Sequence, residues 1–101
     1  MQKNLIHFPF YCFQYFGHLM KFTNQEAGLW IKLLALYVAD YDGILPSYEK
    51  MYKDCAARTK EDKKALNYIL DDVVTVGNEI LEIQKALREK RILAGRKGGL
   101  N

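Results

Sequence analysis

Val73-Val74-Thr75-Val76-Gly77-Asn78-Glu79-Ile80-Leu81-Glu82-Ile83 is the stretch on which the fold turns. Two β-prone runs flank Gly77-Asn78, and Gly followed by Asn suits a type II′ turn because Gly takes a positive φ without steric cost. The expectation is a β-hairpin. Just upstream, Thr59 followed by Asp62 is a helix-start signal, weaker than Thr with Glu because Asp reaches less far. It predicts a third helix from about Lys60 to Asp71. In that helix Ala65, Leu66, Ile69 and Leu70 form one apolar stripe, while Lys60, Lys63, Lys64 and Asn67 share another face. Downstream, Gln84 to Leu93 is helix-prone and basic. Residues 94–101 have nothing with which to pack and read as a flexible basic tail, either a free end or the lead into a further C-terminal region.

Working back toward the N-terminus, Thr23-Asn24-Gln25-Glu26 has the pattern of a capping box, which predicts a helix from Asn24 to Ala39. Its Ala27, Trp30, Ile31, Leu34, Leu36, Tyr37 and Val38 give an apolar surface too broad for a helix on the outside of a fold, so it is expected at the centre. Asp40-Tyr41-Asp42-Gly43 stops it, and Ile44-Leu45-Pro46 reads as extended because Leu45 precedes a proline. Ser47 then caps a second helix to about Ala57, with Met51, Tyr52, Cys55 and Ala56 inward. The opening aromatic run, His7 to Phe16, carries Pro9 and is expected to cross the core extended. Length and apolar content suit one core and not two. The sum is a mainly α fold with a small β-hairpin, a winged helix-turn-helix over residues 1–93, in which the third helix reads a groove and the hairpin is the wing.

Charge is unevenly spread. Residues 1–84 carry nine Lys/Arg against eleven Asp/Glu, and residues 85–101 carry six against one. Leu5 to Met20 is the one stretch to consider as a membrane or targeting segment, and His7, Pro9, Gln14 and His18 interrupt it. No membrane association is expected, and the location is expected to be cytoplasmic. Cys12 and Cys55 lie far apart without metal-ligand spacing, so buried reduced thiols are expected and neither a metal nor another cofactor. Asp40/Asp42 and Asp71-Asp72 fall at predicted helix ends, where turn or cap duty accounts for them. With no nucleophile–base pattern either, an enzyme is not expected.

The cations suggest DNA instead. Lys60, Lys63 and Lys64 suit phosphate contacts and Asn67 a bidentate contact to adenine, with Arg58 just before the helix. Glu61 and Asp62 oppose them, and the plainer alternative is a solvated helix face. Lys85, Arg88, Lys90, Arg91, Arg96 and Lys97 are a cleaner electrostatic footprint or, alternatively, a solubilising linker. The aromatics Phe8, Phe10, Tyr11, Phe13, Tyr15 and Phe16 lack interleaved cations, so core or homodimer contact is expected rather than base stacking.

Several short motifs also occur in a telling order: His7-Phe8-Pro9-Phe10-Tyr11, then Glu26-Ala27-Gly28 and Leu33-Leu34 in the central helix, then Gly43-Ile44-Leu45-Pro46. Glu89-Lys90-Arg91, Ala94-Gly95 and Gly98-Gly99 follow. In this order and spacing the chain resembles the YdaU-like family of phage and prophage proteins, which are often encoded near replication genes and resemble replication-initiation proteins. It departs from the family at Phe13-Gln14-Tyr15-Phe16-Gly17-His18 and in a less aromatic wing. The resemblance implies DNA binding in phage replication initiation or its control. The alternatives are a protein-interaction module that recruits a helicase loader or self-associates, and a transcriptional repressor using the same surface.

Overall fold

A computed structural model describes residues 12–99, with side chains described for 15–94. The described chain forms α1 (Cys12–Met20), α2 (Asn24–Ala39), α3 (Tyr48–Asp54) and α4 (Lys60–Gly99). No strand occurs among the described residues, so the expected hairpin and wing are absent and the fold is all-α there. Instead of ending near Asp71, α4 continues unbroken for 40 residues. At a rise of about 1.5 Å per residue it accounts for the long dimension of the molecule, which measures 60 × 28 × 20 Å.

The β-prone run is helical because its apolar residues also fit a helical repeat. Leu66, Ile69, Val73, Val76 and Ile80 recur at alternating steps of three and four, and all five are buried. A β-branched residue costs a helix only about 0.5 kcal/mol or so. Burying a Val or Ile side chain returns about 1.5–3 kcal/mol, so packing overrides local preference. Gly77 and Asn78 serve α2 rather than a turn. A Cβ on Gly77 would come within 2.7 Å of Tyr37 Cε2, and the Tyr37 hydroxyl donates to Asn78 Oδ1 at 2.6 Å.

The helix starts are where the capping residues put them. Thr23 N–H donates to Glu26 Oε1 at 2.9 Å and Glu26 N–H to Thr23 Oγ1 at 3.1 Å, closing the capping box. Ser47 accepts from Lys50 N–H at 3.3 Å, and Thr59 from Asp62 N–H at 3.1 Å. Three details differ from expectation. Of the opening aromatic run, Cys12 to Phe16 is helical rather than extended, because the influence of Pro9 ends at Phe8. Second, α3 stops at Asp54, leaving Cys55 and Ala57 buried in the following turn while Ala56 is exposed with a positive φ of 57°. Third, Ile31 faces solvent, while Leu29 and Leu33 join Trp30, Leu34, Tyr37 and Val38 inside. The aromatics Phe8, Phe10 and Tyr11 lie outside the described residues, as does the Phe13 side chain. Tyr15 is buried and Phe16 exposed.

The two long helices run in the same direction. Gln25 meets Asp62, Trp30 meets Asp72 and Tyr37 meets Asn78, so numbers rise together along both. This requires the return path that residues 40–59 supply. By contrast α1 runs the opposite way along α4, with the Phe22 ring 6.1 Å edge-on from Tyr68 and His18 beside Asp72. Asp72 sits within α4 rather than at a helix end, and its carboxylate joins α4 to α1 and α2. It accepts from Trp30 Nε1 at 2.7 Å, His18 Nδ1 at 3.0 Å and Lys21 Nζ at 3.0 Å. A carboxylate only accepts, so Nδ1 must carry the proton. Burial would raise the Asp72 pKa, but the Lys21, Trp30 and His18 donors outweigh it and hold it below the usual carboxylate value.

Two predictions follow from these contacts. Ala is the better helix former by about 1 kcal/mol, yet Gly77→Ala should destabilise the chain by about 1–3 kcal/mol through overlap with Tyr37. Gly28→Ala, where a Cβ meets nothing within 4 Å, should instead stabilise it, by at most about 1 kcal/mol. Urea midpoints of both variants check the pair, and equal responses would contradict the close approach. The second concerns acid. Because the folded-state pKa of Asp72 lies below its unfolded value, its ties stabilise the chain above about pH 4 and are lost as pH falls through the folded value. Between about pH 5 and pH 2 the urea midpoint should therefore fall more steeply in wild type than in Asp72→Asn. Fluorescence of Trp30, the single tryptophan, reports both curves.

Candidate nucleic-acid interface

The turn between α3 and α4 brings cations together from three places. Ser47 starts α3, and its far end is tied back when Asp54 accepts from the Tyr41 hydroxyl at 2.8 Å and from Lys50 Nζ at 2.9 Å. Met51, Cys55 and Ala57 anchor α3 and the turn in the core. The Asp62 carboxylate accepts from the Arg58 and Thr59 N–H groups at 3.3 and 3.4 Å, which fixes the entry into α4. Between α3 and the first turns of α4 lies an open cleft of about 500 Å³, lined by Lys53, Arg58, Lys63, Tyr52, Glu49 and two alanines. Three cations from α3, the turn and α4 therefore face one cleft that holds a single carboxylate.

Tyr52 organises the cleft. Its hydroxyl donates to Asn67 Oδ1 at 2.9 Å, and Lys63 Nζ stands 5.4 Å from its ring centroid. The Tyr48 ring is 6.0 Å away on the same helix. An ammonium over a tyrosine face keeps its charge and its outward donors, so Lys63 is held in place without being neutralised.

The sequence-predicted residues do not form one surface. Arg58 and Lys63 line the cleft, and Lys60, in the first turn of α4, is exposed but not part of its lining. Lys64 turns toward a different, smaller hollow shared with Glu26 and Glu61. Asn67 is committed to Tyr52. The exposed Lys85, Arg88, Lys90 and Arg91 lie on the far half of α4, with Arg88 about 38 Å along the axis from Lys63. Arg96 falls within the α4 backbone, as does Lys97, and both side chains lie outside the described ones. Lys53 is the residue the sequence reading missed, and Tyr52 was expected only as core. No single periodicity links 53, 58 and 63, because the turn resets the helical phase between them.

Among the described residues no group of His, Cys, Asp and Glu could hold a metal ion. Burial pushes the Cys55 thiol pKa up. No helix among the described residues is long and apolar enough to cross a membrane. No family model matches the chain, and no curated protein or solved structure shows significant similarity to it.

The Tyr52–Asn67 bond makes a prediction distinct from base reading by Asn67. Tyr52→Phe and Asn67→Ala should each lower stability, and their double-mutant cycle should show coupling of about 0.5–1 kcal/mol. Strictly additive urea midpoints would mean that the bond contributes nothing in solution.

Proposed function

We propose that this chain is a phage or prophage DNA-binding domain that grips the duplex backbone at the α3–α4 cleft. The observation that carries this reading is the convergence of Lys53, Arg58 and Lys63 on one cleft. Each cation can neutralise a phosphate and release condensed counterions. The helix–turn–helix order of α3 and α4 supports it, since such a pair can lay the N-terminal turns of its second helix against a groove. Lys60, exposed in the first turn of α4, extends the same positive edge. Without a wing among the described residues, affinity rests on these backbone contacts. The resemblance to YdaU-like proteins supports placing this binding in replication initiation or its control.

A second reading has its own observation. Ile44 is 77% exposed, and Leu45 and Tyr48 beside it are also open, an apolar patch leading into α3. Such a patch suits a protein contact, for example with a helicase loader.

Duplex DNA titrated at several salt concentrations separates the two. Lys53→Ala with Lys63→Ala should reduce the magnitude of the log–log salt slope by about two. An unchanged slope would remove the cleft from the interface. Absence of parent binding even at low salt would leave the protein-contact reading in its place.

A further inference from the structure

The buried seam of α4 does not stop where its neighbours do. Tyr37 reaches Asn78, Gly43 lies against Leu81, and beyond that level the seam has no cover among the described residues. Ile83 and Leu87 continue the three-and-four spacing of Val76 and Ile80, but their exposure is 56% and 49% where Ile80 is 6% exposed. Every residue from Lys85 to Ala94 is exposed. Over those turns Lys85, Arg88, Lys90 and Arg91 stand against Glu89; Asp42 and Glu82 share a hollow with Lys85 and Arg88, which leaves Lys90 and Arg91 as the cations farthest from those two carboxylates.

This combination selects among occupants. Phosphate would satisfy the cations and leave Ile83 and Leu87 wet. A second copy would cover the seam but bring two sets of like charges face to face, which helix pairing disfavours. An amphipathic helix with an apolar seam and flanking carboxylates satisfies both requirements at once. We infer that the projecting turns of α4, residues 83–94, are a docking site for an acidic amphipathic helix of another protein. The core seam simply continues into the complex. This surface is separate from the α3–α4 cleft and does not depend on the DNA reading.

The test uses the full chain and a labelled synthetic helical peptide of about three heptads, with Leu and Ile on its seam and Glu flanking it. Fluorescence anisotropy should show saturable binding. Leu87→Glu should weaken it by about tenfold or more, as loss of a seam contact does. Arg88→Glu with Arg91→Glu should weaken it comparably and reverse its salt dependence. Both changes lie outside the core, and unchanged Trp30 fluorescence would confirm that the fold is intact. Neither should alter the DNA salt slope assigned to Lys53 and Lys63, so the two readings fail separately. The inference is overturned if a peptide with Lys in place of Glu binds equally, or if no peptide binds. It is also overturned if the free chain is a dimer that Leu87→Glu dissociates, or if duplex DNA protects the 83–94 amides from exchange and the peptide does not.

Discussion

Tyr37 packs close against α4 at Gly77, where the helix offers no side chain, and the course of the rest of the chain depends on that approach. With any Cβ at position 77 the ring would have to move outward, and α2 would lift from the seam formed by Val73, Val76 and Ile80. Because it stays close, those β-branched residues gain more from burial against α2 than they lose in helix propensity. The helix therefore runs through a sequence that would otherwise suit a hairpin. The described residues after Ile80 then continue along the α4 axis instead of folding back.

Asp72 supplies the polar counterpart of this packing. The Trp30 indole N–H is taken up in a largely apolar interior, where an unpaired donor would cost about 1–3 kcal/mol. The same carboxylate collects His18 and Lys21 from the α1 side, so one acidic residue sets the register of α1 and α2 on α4. His18 stacks on the Trp30 ring at 5.8 Å, which closes the corner between them. Apolar contacts alone tolerate sliding, whereas a carboxylate shared among donors on two other helices does not.

How legible this was varied with the range of the interaction. Thr23, Ser47 and Thr59 were readable as helix starts because capping is settled within a few residues. Asp40 and Asp42 were likewise readable as turn residues, and Trp30, Leu34, Leu66 and Ile69 as core. Gly77-Asn78 was misread because its partner, Tyr37, is about forty residues away, and local turn chemistry was the only signal within view. The same distance hid Asp72, which looked like a helix terminator once a hairpin had been assumed. At the candidate site, Arg58 and Lys63 were legible from charge and helical spacing, but Lys53 was not. Its place beside them depends on the angle at which the 55–59 turn returns the chain.

Replacing a hairpin by helix also changes what the basic residues can do. A wing folded beside the third helix would bring its cations toward the same duplex as Lys60 and Lys63. In an unbroken helix, Lys63 and Arg88 are instead separated by about 38 Å along a single axis, roughly one turn of duplex DNA. Both positions are exposed, and between them α4 is braced by α2 as far as Ile80. The two basic groups thus cannot close on a single phosphate cluster, and the apolar residues accompany only the second. Charge drawn from the whole chain would count them as one surface. Burial divides them into a cleft between α3 and α4 and a projecting, partly apolar stretch of α4.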